Sequence, residues 1–395
     1  MSKEANQDFA RLREQVRRAG FGRKTTAIII GECVLFVALT MAGVALVIVS
    51  DLLIVKAIGM ILVAYGCMGL STNGHTASHH AISNRPWVDE FIMYFDFSFF
   101  LGVSGNYWRH KHVVVHHPNP NVIGVDDDAD LRPVFTLNDR DLANASGLVK
   151  WWYAHQGYFF PIVLLGNSFG VAFKGWRFLI RELMDDERRN WQSWIDLSCM
   201  IAHWIVWMII PIGIFGFANV ALFFVVQMFM MSYVMFALFA PAHYPEEAIQ
   251  VTKDATRDNY LMLQTATAVN FETGPIGRLL CGGVEFQIEH HLFPWISPRH
   301  YPQLAPMLRQ FCEEHGYPYR SQGWGIATWK SVVTLFKPKT IEEEFPAVEN
   351  LPLAAHYQQK SRLLRKAEAP LAKAAAASRS EGSLSEASLS EASLS

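Results

Sequence analysis

Four runs of apolar residues, each about as long as a bilayer-spanning helix needs, limit this chain more than any other feature. Residues 27–49 (AIIIGECVLFVALTMAGVALVIV) hold one ionisable carboxylate, Glu32. At about 1.5 Å per helical residue the run is long enough to cross a hydrocarbon layer roughly 30 Å thick. Residues 52–72, 196–217 and 219–240 read the same way. Of the 395 residues 51% are hydrophobic and 18% charged, and mean hydropathy is +0.14. A soluble domain carries roughly a quarter charged residues. The expected class is an all-α integral membrane protein with four transmembrane helices in two hairpins.

Basic residues set the orientation, since Lys and Arg near spans stay on the cytoplasmic side. Lys3, Arg11, Arg13, Arg17, Arg18, Arg23 and Lys24 precede the first span. The opposite turns, at Ser50-Asp51 and 216–219, have no Lys or Arg nearer than Lys56. Both termini are therefore expected in the cytoplasm, with a bacterial inner membrane as the setting. The polar opening does not resemble a cleavable signal peptide, so the first span reads as an uncleaved anchor.

Three regions follow: a cytosolic segment 1–25, a membrane domain 26–345, and a tail 346–395 expected to be mostly disordered. The tail ends in EGSLS-EASLS-EASLS, whose small polar repeats cannot bury a core. The loop 73–195 and the segment 241–345 are expected to form one helical cytosolic cap. Stretches 88–107 and 157–173 look interfacial rather than spanning. If either crossed alone, the histidine clusters on its two sides would face opposite sides of the membrane. The net charge of −2 gives no reason to expect nucleic acid. The five cysteines are scattered, without the close pairing of zinc, iron-sulfur or redox motifs.

Histidine carries the chemistry. Of fifteen, nine fall in three short clusters. The first is HTASHH (His75, His79, His80), after the second span. The second is HKHVVVHHPNPN (His112, His116, His117), with His110 just upstream. The third is QIEHH (Gln287, His290, His291), after the second hairpin, and His243 ends the fourth span. An even number of spans separates the clusters, so all emerge on one side. Residues four apart share a helix face, which pairs His75 with His79 and His112 with His116 and swings His117 toward a neighbouring ion. Adjacent histidines such as His290 and His291 diverge by about 100° and can serve two metals. Eight or more imidazoles exceed what one tetrahedral zinc uses, so two five- or six-coordinate ions are expected in the cap. Thr76 stands where a zinc protease would carry the glutamate of HExxH. Of the remaining histidines, His203 and His155 read as hydrogen-bonded structural residues, and His300, His315 and His356 as solvated.

At these residues the chain resembles the integral-membrane fatty acid desaturases, whose histidine boxes have the forms HxxxH, Hxx(x)HH and (H/Q)xxHH. The glutamine of the third box, followed by HLFP, is similar to the subgroup of front-end and related bacterial acyl desaturases, and the match extends to about Tyr319. The resemblance implies two non-haem iron ions and an oxygen-dependent oxidoreductase that puts a double bond into a long acyl chain. It implies His75, His79, His112, His116, His117, His243, His290 and His291 as metal ligands, with Gln287 as a secondary candidate where other subgroups have a ninth histidine; His80, also a secondary candidate, and His110 lie outside the matched pattern. No catalytic group apart from these ligands is expected. Thr76 also replaces the acid of the frequent HDxxH form, leaving Asp126, Asp127, Asp128 and Glu289 as carboxylates able to orient a ligand. The implied partners are an acyl-CoA or acyl-lipid substrate, the bilayer, and an external electron donor such as a ferredoxin, cytochrome or reductase. No fused haem signature, cysteine cluster or GxGxxG site is found. Basic residues around Lys174, Arg177, Arg181, Arg188 and Arg189 read as membrane-surface charge, with an acidic donor, a CoA phosphate or anionic lipid as alternatives. A hydroxylase or ketolase on the same di-iron cap is the alternative chemistry. A metal transporter is disfavoured because it would carry ligands inside its spans.

Overall fold

A computed structural model of the protein describes residues 3–255 and 259–345. Four helices there are long and apolar enough to cross a membrane: Thr26–Val49, Leu53–Ser78, Trp191–Phe215 and Phe217–His243. Lipid offers no hydrogen bonds, so each segment closes its own backbone bonds as a helix. Val34, Leu53, Ile58, Ile209 and Leu222 remain exposed on these helices, apolar surface that a bilayer covers. The last two spans meet at Gly216, whose φ of 80° lets the chain reverse at a single residue.

The first two spans cross where Gly43 meets Gly59. A Cβ on Gly43 would come within 2.4 Å of the Gly59 carbonyl oxygen, and one on Gly59 within 2.7 Å of the Gly43 carbonyl oxygen. Such backbone contact replaces the hydrophobic driving force that helices lack inside lipid. Above the crossing, Phe36, Val63, Met68 and Leu70 form a buried core with Leu238 and Phe271.

The span boundaries depart from the sequence expectation. The second helix runs on past 72 to Ser78, the fourth past 240 to His243, and the third begins at Trp191 rather than 196. Hydropathy reports only the lipid-embedded part of a helix. The continuation STNGHTAS (71–78) is polar but wholly buried, because the cap encloses it. Two spans thus carry histidines into the cap on unbroken helices.

Besides its helices and loops the cap carries two short parallel strand pairs, Gln250–Val251 with Ile341–Glu342 and Asn270–Glu272 with Ser321–Gly323. The expected interfacial stretch 88–107 forms helix Pro86–Met93, a π-helical turn Tyr94–Phe100, and a return through Gly105. The stretch 157–173 is broken near Gly166 into Gly147–Leu164 and Asn167–Met184, which meet at 78°. The N-terminal helix Lys3–Arg18 lies against the cap: Leu12 and Val16 are buried, Phe9 contacts Tyr260 at 5.0 Å, and Tyr317 donates to Asp8 at 3.1 Å. The predicted tail, 346–395, falls outside the described residues.

Replacing Gly59 by leucine drives a side chain into the facing backbone. The expected loss is about 1–3 kcal/mol, measured as a lower thermal midpoint of the detergent-solubilised protein, with Gly59→Ala intermediate.

Candidate metal centre

Two groups of buried imidazoles lie side by side. His75, His79, His112, His117 and His290 form one, and His116, His243 and His291 the other, with the nitrogens of each group within 4.8 Å of one another. The second span supplies His75 on its last turn and His79 just beyond it, and the fourth span ends at His243. His290 and His291 sit on the short helix Gln287–Leu292, whose every residue is buried. The groups touch where His117 stacks on His291, with ring centroids 4.4 Å apart.

The second cluster is divided differently from the α-helical expectation. Arg109–His116 is π-helical, and the His117 N–H donates to the His112 carbonyl, five residues back, at 3.0 Å. With the i→i+5 bond, positions five apart share a face rather than positions four apart. His117 therefore joins His112 in the first group, while His116 swings to His243 and His291. The adjacent pair His290 and His291 is split between the groups.

The donor set suits metal ions. Nε2 of His75 lies 2.8 Å from that of His112, and Nε2 of His117 lies 3.1 Å from His112 and 2.9 Å from His290. Two nitrogens bound to one ion at about 2.1 Å and a right angle stand about 3.0 Å apart. Nε2 of His79 is buried without a partner beside them. Burial, and after it the neighbouring imidazoles, hold His79, His112, His117, His290 and His291 well below the ordinary histidine value of 6.5. Their lone pairs are thus free for a cation at neutral pH.

The outer ring nitrogens are oriented by oxygen acceptors. His116 Nδ1 pairs with Asp126 at 2.9 Å, His243 Nδ1 with the Thr267 carbonyl at 3.1 Å, and His291 Nδ1 with Gln264 Oε1 at 2.9 Å. Such contacts fix the tautomer that leaves Nε2 free. For His116 burial opposes protonation, but the Asp126 and Asp128 carboxylates together outweigh it and the pKa is raised. Of the four carboxylates singled out in the sequence, Asp126 is buried against His116, and Asp128 pairs with Lys111 and lies 3.9 Å from His116. Asp127 is exposed. Glu289 instead accepts from Asn270 at 2.7 Å and Tyr319 at 2.6 Å.

Of the two secondary candidates, Gln287 lies within the second group. Its amide nitrogen is placed 2.9 Å from Nε2 of both His243 and His291, while its carbonyl oxygen is buried without a partner. Turning the amide over aims that oxygen at the space the two imidazoles share. His80 belongs to neither group: it is exposed, with φ of 53°. His110 is also exposed and stacks on Phe178 at 5.1 Å. His203 bonds to the Phe99 carbonyl at 2.9 Å and His155 to that of Trp151 at 2.7 Å. His300 and His315, expected in solvent, are partly buried: His300 binds the Arg23 carbonyl and His315 stacks on Phe311. His356 lies outside the described residues.

Sequence reasoning missed the groups that hold the end of the fourth span. Asn121 Nδ2 donates to the carbonyls of His243 at 2.9 Å and Ile249 at 3.1 Å. Lys339 Nζ reaches the carbonyls of His243 at 2.9 Å and Ala248 at 2.6 Å, and burial pushes its pKa down to about 7. Asn121 stands inside the quoted HHPNPN motif, a usable signal, whereas Lys339 lies far along the chain and carries none.

The fatty acid desaturase family model matches residues 51–323, more than half of the chain. The chain belongs to the fatty acid desaturase family. This desaturase is 26% identical over 315 residues to the sn-1 linoleoyl-lipid 6-desaturase of Arthrospira platensis, covering 76% of the chain and 82% of that protein. It is 26% identical over 278 residues to the sn-1 linoleoyl-lipid 6-desaturase of Synechocystis sp., covering 67% and 75%. With a Delta(5) fatty acid desaturase of Caenorhabditis elegans it shares 25% over 269 residues, 65% of the chain and 58% of that protein. The desaturase is thus a membrane oxidoreductase that introduces double bonds into fatty acids.

Protons compete with metal for these nitrogens. In the metal-free protein the five lowered imidazoles take up protons more readily when unfolded, so stability is full above about pH 6.5 and falls as pH drops below it. Thermal unfolding of the stripped desaturase from pH 8 to pH 5 is expected to show that fall. A flat profile would mean the rings are not held neutral.

Proposed function

We propose that the imidazole groups hold two non-haem irons and that the desaturase uses dioxygen to remove two hydrogens from a long acyl chain. The reading rests chiefly on one observation: eight buried histidines form two touching groups, and two adjacent pairs are each shared between them. When bound, the irons supply redox chemistry that zinc lacks, accepting electrons, reducing dioxygen and making the centre oxidising enough to attack a methylene. Overall, CH2–CH2 plus dioxygen, two electrons and two protons gives CH=CH and two waters. Asp126, Gln264 and the Thr267 carbonyl keep the imidazoles oriented. The apolar rings of Phe239 and Trp108 wall the centre, 6.5 and 6.2 Å from that of His75, and exclude water. Holding the chain against this wall fixes which carbon pair reacts.

The acyl donor in this proposal is a lipid rather than a coenzyme A ester, in line with the linoleoyl-lipid substrates named for the Arthrospira and Synechocystis proteins. Electrons come from a separate ferredoxin, cytochrome or reductase. The five cysteines are single free thiols, which supports an outside source. The basic segment before the first span supports cytoplasmic termini and a cytoplasmic centre, in a bacterial inner membrane. Because His79 meets His112, and both meet His290, the segments between them cross the bilayer an even number of times. Stretch 88–107 therefore does not cross alone.

Purified desaturase is expected to carry two irons per chain by elemental analysis. His116→Ala should lose the ion of the second group and His290→Ala that of the first, each with loss of turnover. Gln287→Ala should weaken the second ion about 10–100-fold, whereas Gln287→Glu retains it. Retained iron and turnover in both histidine variants would overturn the assignment.

Co-expression with a reductase and ferredoxin, followed by gas chromatography of acyl chains, should reveal a new double bond. Hydroxylated chains without new unsaturation would make the protein a hydroxylase instead.

A further inference from the structure

Beside the metal centre, a second feature remains without a role. A cavity of about 730 Å³ opens between the N-terminal helix and the loop that follows the third histidine cluster. Three arginines line it, Arg13, Arg17 and Arg23, with Glu14 as the one carboxylate and Trp295 and Phe293 as the apolar wall. Glu14 is already engaged by Arg17 and Arg18 at 2.8 and 2.7 Å. Among the described residues no carboxylate pairs with the side chain of Arg13 or Arg23. Two guanidiniums facing one cavity without a counter-charge form a site for an anion, and their planar donor pairs match phosphate oxygens.

The walls of the cavity are fixed by bonds from the segment that leads into the first span. Lys24 Nζ donates to the carbonyls of Trp295 at 2.8 Å and His80 at 2.6 Å. Thr25 Oγ1 and Ser297 Oγ share a hydrogen bond at 2.5 Å, and His300 Nε2 bonds to the Arg23 carbonyl at 2.9 Å. Arg299 forms an ion pair with Glu32 inside the first span. These contacts tie the loop 295–300 to the entry of the first helix, so the cavity is pre-formed and lies beside the start of an apolar helix long enough to span a membrane. Phospholipid phosphates lie at the level where such a helix starts. The loop is also continuous with the centre: Phe293 follows His291 by two residues, and its carbonyl accepts from Tyr301 at 3.4 Å, the residue whose hydroxyl lies 3.4 Å from His290 Nδ1.

We propose that this cavity binds the phosphate-bearing head group of the acyl donor, Arg13 and Arg23 taking the phosphate while the exposed Trp295 covers the start of the acyl chain. The inference rests on the desaturase reading and adds the part of the substrate that the centre does not touch. A glycerophospholipid phosphate and the phosphates of a CoA ester offer the same chemistry, and the experiment separates them.

The full-length, iron-loaded protein in an uncharged maltoside detergent is titrated with three soluble probes: dihexanoyl phosphatidylglycerol, dihexanoylglycerol and hexanoyl-CoA. Saturable binding of one phosphate-bearing probe per chain is expected, at least tenfold tighter than dihexanoylglycerol. Arg13→Gln with Arg23→Gln should weaken it at least tenfold, with iron content unchanged, and the paired lysine variants should recover most of it. Preference for phosphatidylglycerol identifies a lipid head group, and preference for hexanoyl-CoA identifies the ester. Equal binding of dihexanoylglycerol to the unaltered protein overturns the proposal whether or not the variants fold, as does unchanged affinity in the glutamine pair. No turnover is read, so absence of desaturation with arginine-dependent binding would sink the catalytic reading alone.

Discussion

Crowding neutral imidazoles out of contact with water is the demand that the rest of this structure answers. In the proposed centre each ring keeps one nitrogen for an ion, so the other must be satisfied or endured inside the protein. Asp126, Gln264, the Thr267 carbonyl and the Tyr301 hydroxyl meet that need for four of the rings. His75 and His117 keep a buried Nδ1 without a partner. A polar group left so costs about 1–3 kcal/mol. In that proposal, metal bonds on the opposite side of the same rings offset such a penalty, so the ions would contribute to folding as well as to the chemistry.

The spans meet this demand by outlasting the membrane. A helix that stopped where its apolar residues stop would end short of the centre, and a loop would have to deliver the ligand. Here the second and fourth helices run on, and their polar last turns are enclosed by the cap. Asn121 and Lys339 then bind the carbonyls where the fourth helix ends, groups that no intrahelical donor reaches. Both helices thereby bring an imidazole into the cap on their last turn, His75 and His243.

Much of this was legible in the sequence, for identifiable reasons. Apolar run length reports lipid thickness, and dense histidine at the run ends reports metal, so the four spans and the three clusters could be read directly. What could not be read was pairing within a cluster. His112, His116 and His117 look the same under an α-helical or a π-helical backbone, and only the backbone decides which ring faces which group. The carboxylates were similar: Asp126, Asp127, Asp128 and Glu289 are alike in the sequence, but a turn of the chain buries Asp126 against His116 while Tyr319 and Asn270 claim Glu289. Lys339 was invisible because its partners are main-chain atoms about ninety residues away.

The doublets at 116–117 and 290–291 each place one ring in either half of the centre. Consecutive α-carbons are held about 3.8 Å apart by covalent geometry, so the two groups cannot separate further than two side chains on adjacent residues reach, twice over. Packing forces relax with temperature, solvent or mutation, but bond lengths do not. The two groups are thus tethered to each other at two points by the shortest link a chain offers, and inserting or deleting one residue inside either doublet would turn one ring out of its group.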